Sequence, residues 1–112
     1  MQDLVIIAPL AFGVLLLVSG VLGLTGRLPR NDWVGLRLHE VMRDDETWKL
    51  GHKAGAPWLL AGGLMDTLAG AALFLQRDEL SSPSRVALPL IVLAVIAYTA
   101  ASWRALAAIR RR

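Results

Sequence analysis

Asp66 is the one acid inside an apolar run, 54–75, and an ionised carboxylate at the centre of a bilayer costs roughly 2.5–3.5 kcal/mol on insertion scales. Three kinds of chemistry suit it. It can hydrogen-bond within a helix bundle to hydroxyls such as Tyr98 or Thr99, meet a polar or basic residue on a partner's transmembrane helix, or pass protons or ions. The first is the main expectation, because a single acid without a relay of companions makes a poor conduction path. Gly62 and Gly70 lie one turn to either side on the same face, so the carboxyl should point at a close-packed neighbour and not at lipid, with Gly13 near its depth in the preceding run. His39 and His52 are thirteen apart and form neither an i, i+4 pair nor an HExxH motif, so no metal site is expected. Cysteine is absent and no serine is grouped with a histidine and an acid. A catalytic nucleophile therefore has no constellation, and the expectation is a non-enzyme without cofactor.

The elements that must position these residues are apolar runs. Positions 4–24 carry no charge, and a helix of that length crosses the roughly 30 Å hydrocarbon core of a bilayer. Two further runs follow, 54–75 with Asp66 and 86–103 with no charge. The expected fold is an all-α integral membrane protein, a single membrane domain 1–112 with spans of about 4–24, 57–75 and 86–106. A loop, 25–56, carries a short cytoplasmic amphipathic helix between the first and second spans. The first run is longer than the 7–15 residues of a signal-peptide core and is expected to stay as an anchor. Of twelve Lys and Arg, none precede the first span, six lie in the first loop, two in the second and four at the end. By the positive-inside rule the loop and C-terminus face the cytoplasm of a cell membrane and the N-terminus faces out. Trp58 and Trp103 mark the same boundary, where indole rings prefer to sit. The net charge of +3 thus points to lipid head groups; nucleic acid is not an expected partner.

The first loop has internal order. Asp44, Asp45 and Glu46 place negative charge where a helix N-terminus favours it, with Asp44 as N-cap. On the helix that follows, Trp48 and His52 share a face, with Leu38 and Val41 on the same stripe, and Lys49 and Lys53 project elsewhere. Such a helix should lie in the interface and feed into the second span near Pro57, with a kink there. Arg37 suits a lipid phosphate or an ion pair with Asp45 or Glu46 equally well. Trp48 suits a packing anchor or a contact for a protein partner. Gly13 and Gly20 are seven apart on one face, and with Gly62 and Gly70 they form small-residue stripes for helix packing. Faces of that kind suggest company, either a membrane-protein partner or a homo-oligomer, beyond contact with membrane lipids. The second loop, 76–85, reads as a connector.

The order Asn31, Trp33, Gly35, Leu36, Arg37, then Trp48, His52, Lys53 and Gly55, set between a first and a second apolar run, resembles the SdpI-like immunity-protein family. In that family a cytoplasmic segment of the form N-x-x-x-G-[IL]-R, ten residues, W-x-x-x-[HN]-[KR] precedes a transmembrane helix. The spacing from Arg37 to Trp48 fits without a gap, and the likeness covers about 25–70. After the arginine the chain reads Leu38, His39, Glu40, Val41, Met42, Arg43 in place of the Thr-Pro-Trp-Thr-Leu-Ser stretch common in the family. Longer members carry further spans ahead of the motif. The resemblance implies a non-enzymatic binding protein, in immunity to a membrane-active toxin or in signalling, with Asn31, Gly35, Arg37, Trp48, His52 and Lys53 as motif and partner-binding residues. An alternative is an accessory subunit of a larger membrane complex such as a lipid transporter, held through the glycine faces and Asp66. A weaker one is proton or ion conduction at Asp66.

Overall fold

A computed structural model describes residues 2–111. The chain forms α1 (Gln2–Thr25), a one-turn α2 (His39–Met42), α3 (Asp45–Leu75) and α4 (Pro83–Arg111), with a short 3-10 turn at Arg77–Glu79 before α4. No strand occurs among the described residues, and α1, α3 and α4 are each long and apolar enough to cross a membrane.

The ends of the helices follow from local sequence. Gly26 takes φ +73° after the last turn of α1, its N–H donates to the Gly23 carbonyl, and the Arg27 N–H reaches back to Leu22 at 2.8 Å. This pair of bonds satisfies carbonyls that the helix would leave open and turns the chain sharply away. At the start of α3, Asp44 Oδ1 accepts from the Thr47 N–H at 2.8 Å, and Thr47 Oγ1 accepts from the Asp44 N–H at 3.2 Å. The helix thus begins in a reciprocal cap at the expected residue. It then runs on without interruption through Pro57 to Leu75, so the expected interfacial helix and the second span are one element. Pro57 removes one backbone bond, but the helix is held on both sides of it by packing at Gly55 and Gly62 against α4. The separate small helix is α2, whose buried Val41 sits against Gly51.

α3 is the central element, with α1 and α4 each packed along it and touching one another less extensively. Its contact with α1 is a glycine spine. A Cβ added at Gly63 would lie 2.8 Å from Leu17 Cα, one at Gly70 would lie 2.6 Å from Leu10 N, and one at Gly20 would lie 2.9 Å from Leu60 Cγ. Gly13 lies against Asp66 and Thr67 in the same way, and Gly62 faces the Ala97 methyl of α4. Where apolar tails surround the helices, backbone approach of this kind supplies the dispersion contact that a hydrophobic driving force cannot. These small-residue faces are therefore occupied within the chain. At 31 residues α3 is about 46 Å long at 1.5 Å per residue, well beyond the hydrocarbon thickness of a bilayer, and its first turns carry the packing of the loop. There residues 27–44 fold over it, forming an apolar core with Leu28, Leu36, Val41 and Trp48, while Ile6, Leu73 and Ala87 form a second, smaller core at the opposite end.

Gly63→Leu should separate α1 from α3. Helical circular dichroism during heating in mild detergent is expected to show a loss of about 2 kcal/mol or more, with Leu68→Ala, at an exposed position, close to wild type. Equal stability of the two variants would contradict the spine.

Candidate functional site

The residues of the loop pattern converge where the start of α3 meets residues 28–37. Trp48 and His52, one turn apart on α3, are both buried, with ring centroids 4.1 Å apart. Trp48 Nε1–H donates to the Leu28 carbonyl at 2.8 Å. The Leu36 N–H donates to His52 Nε2 at 2.8 Å, and His52 Nδ1 lies 2.8 Å from the Trp48 carbonyl. An Nε2 that accepts leaves Nδ1 as the donor, so the ring is the neutral Nδ1–H tautomer. Two side chains from one helix therefore grip the loop at both of its ends.

Gly35 lies between the two grips. Its φ is +115°, and a Cβ there would stand 2.5 Å from His52 Nε2 and 3.1 Å from Trp48 Cη2. Only glycine fits both the backbone and the space. Asn31 makes the preceding turn, its Oδ1 accepting from the Trp33 and Val34 N–H groups at 2.8 and 2.7 Å while Nδ2 donates to the Pro29 carbonyl. The Arg37 N–H donates to the Tyr98 hydroxyl at 2.7 Å, which ties the loop to α4. Its guanidinium donates through Nη2 to the Val34 carbonyl at 3.2 Å and lies over the Trp48 ring, 5.4 Å from the centroid. Lys53, the last residue of the pattern, is exposed and points away from this cluster.

The expected ion pairs of Arg37 do not form. Asp45 pairs instead with Arg30 at 3.5 Å, and no described carboxylate comes within salt-bridge distance of Arg37, because residues 34–37 turn inward over Trp48. The expected hydroxyl partners of Asp66 are also engaged elsewhere. Tyr98 bonds Arg37 and Thr99 bonds the Val95 carbonyl at 2.8 Å. The cause is axial register: Gly51, Gly55 and Gly62 face Ala105, Ala101 and Ala97, so Tyr98 and Thr99 lie nearer the loop than Asp66 does. Asp66 is fully buried, and neither carboxylate oxygen has a hydrogen-bond partner among the described residues.

Tyr98 and the carbonyl of Leu28 are the members of the site that sequence reasoning did not assign to it. Nothing near either in sequence marks it, since Tyr98 lies 61 residues from Arg37; its standing as the chain's single tyrosine was the available signal. Trp33, 89% exposed, overhangs a lateral groove of about 270 Å³ between α1 and α4 that reaches Tyr98.

The family model of the SdpI/YfhL protein family matches residues 27–102, more than half of the 112 residues. The chain belongs to this family. The matched stretch begins just after α1 ends and contains every member of the grip, from Leu28 to Tyr98. Neither the curated proteins nor the solved structures contain a significant match. Within this SdpI/YfhL chain the sequence pattern thus reads first as a folding device, in which each motif side chain other than Lys53 holds or is held by the loop.

Trp48→Phe removes the bond to Leu28 and His52→Ala leaves the buried Leu36 N–H without a partner; each is expected to cost about 1–3 kcal/mol. Hydrogen exchange across 28–37 should speed up in both, whereas Arg43→Ala, at an exposed site, should stay within about 0.5 kcal/mol of wild type. Unchanged protection in the first two would refute the grip.

Proposed function

We propose that the chain is a non-catalytic SdpI-type membrane protein that acts by binding, in immunity to a membrane-active toxin or in signalling. The observation that carries this reading is that the first part of the family-matched segment, residues 27–52, is built into a cap at one end of the bundle, with Trp33 displayed on its outside. A buried Trp48 cannot itself be the contact for a partner; its part is to hold up the surface that is. The basic residues gathered at the cap end support a cytoplasmic placement in a cell membrane. An accessory-subunit role held through the glycine faces is disfavoured, because those of α1 and α3 are packed on one another.

Two measurements test this. Expression in a toxin-sensitive strain should raise survival, and Trp33→Ala should abolish that protection at normal membrane abundance, while Gly35→Leu should abolish it together with abundance. Survival unchanged by expression against membrane-active peptides, with a large complex co-purifying at fixed stoichiometry, would replace the reading with the subunit one. For orientation, the cysteine-free chain allows single cysteines at Asp32 and Asp78. A membrane-impermeant maleimide on intact cells should label the second and spare the first; the reverse pattern would invert the topology.

A further inference from the structure

The groove between α1 and α4 lies beside Arg37, which does not itself line it but is bonded to two residues that do, Val34 and Tyr98. Phe12, Leu15 and Ser19 line it from α1, and Val95 and Tyr98 from α4. Trp33, Val34 and Gly35 close its upper end. Phe12, Leu15 and Val95 are exposed, so in a membrane this wall meets acyl chains. The Arg37 guanidinium bonds the carbonyl of the lining residue Val34, and among the described residues its buried Nε has no hydrogen-bond partner and no carboxylate lies within salt-bridge distance of it.

We propose that this groove holds one chain of an anionic phospholipid, with the lipid phosphate against Arg37 and the indole of Trp33 over the glycerol region. Charge complementarity selects the head group, since a guanidinium without a carboxylate is a natural partner for phosphate, and basic positions between helices at the cytoplasmic side favour anionic lipid. Shape selects the chain. The α1 lining from Phe12 to Ser19 covers eight residues, about 10 Å of rise, and residues 33–35 roof it, so a spanning helix cannot thread the groove whereas a flexible acyl chain can enter from the side. Trp33, the most exposed large apolar residue of the described chain, sits where indole rings partition, at the boundary between head groups and hydrocarbon. The site goes beyond the immunity reading and stands or falls without it.

Native mass spectrometry of the purified protein with equimolar phosphatidylglycerol and phosphatidylcholine reads the occupancy directly. Phosphatidylglycerol should be retained about fivefold over phosphatidylcholine, the ratio expected for one basic residue near a membrane surface. Arg37→Gln, which keeps the backbone bond to Tyr98, should bring the ratio to parity, and Val95→Trp, at an exposed position, should empty the groove of both lipids with helix content unchanged. Equal retention by wild type, or a preference that survives both variants, would overturn the site and leave Trp33 as an interfacial anchor only. A second readout uses the residue at the groove's upper end: chain-brominated phosphatidylglycerol should quench the protein's fluorescence more than brominated phosphatidylcholine, and Trp33→Phe should remove the difference. Quenching equal for the two lipids, or unchanged by Trp33→Phe, would contradict it.

Discussion

An irregular loop packed against helices at the edge of a bilayer must satisfy every backbone group it buries, and here two side chains of α3 do so. Leu36 is wholly buried and its N–H has no helix or sheet to join; His52 Nε2 accepts it. The Leu28 carbonyl is likewise met by the Trp48 indole, and the Arg37 N–H by Tyr98. Unsatisfied, such groups would each cost about 1–3 kcal/mol, enough to expel the loop from its place. The rest of the cap depends on that exchange. Gly35 has to be glycine because His52 and Trp48 occupy the space above it, and Arg37 is held over Trp48 because Leu36 is drawn inward.

The remainder of the molecule gives α3 a fixed position from which to act. Its glycines let α1 approach along one side, and alternating Gly and Ala positions let α4 approach along the other. Close backbone contact makes the bundle stiff at the price of leaving little room, and Asp66 is enclosed in that tight middle, between the two apolar cores. Near the cap a groove lies between α1 and α4 under Trp33. Rigidity below and a gripped loop above are thus consequences of one helix packing on both neighbours.

Much of this was legible in the chain itself. Apolar stretches at bilayer length announce three spans, and Asp44 at the head of the acidic cluster with Asp45 and Glu46 announces the start of α3, because both signals are local. The i, i+4 spacing of Trp48 and His52 correctly places them on one face. What that face touches was not legible, since it is backbone from residues 28 and 36, and backbone leaves no mark in composition. Of the two partners open to Arg37 in sequence, the loop acid Asp45 is paired with Arg30 instead, and the hydroxyls expected beside Asp66 are engaged elsewhere, for a related reason. Aligning the spans by depth brings Tyr98 and Thr99 close to Asp66, whereas the register of α3 against α4 is set by where Gly55 and Gly62 admit alanines. Pro57 likewise reads as a junction in sequence but is carried inside a continuous helix by packing on both sides of it.

The central claim, that His52 clamps the loop through a ring nitrogen, is tested most directly by nitrogen NMR of the labelled imidazole in micelles. The structure requires Nδ1 to carry the proton and Nε2 to be bare, with a scalar coupling across the hydrogen bond from the Leu36 amide to His52 Nε2. A proton on Nε2 at neutral pH, or an imidazole with no coupling to Leu36, would mean that the loop is not held by His52 and that the pattern joining Gly35, Trp48 and His52 has another physical cause.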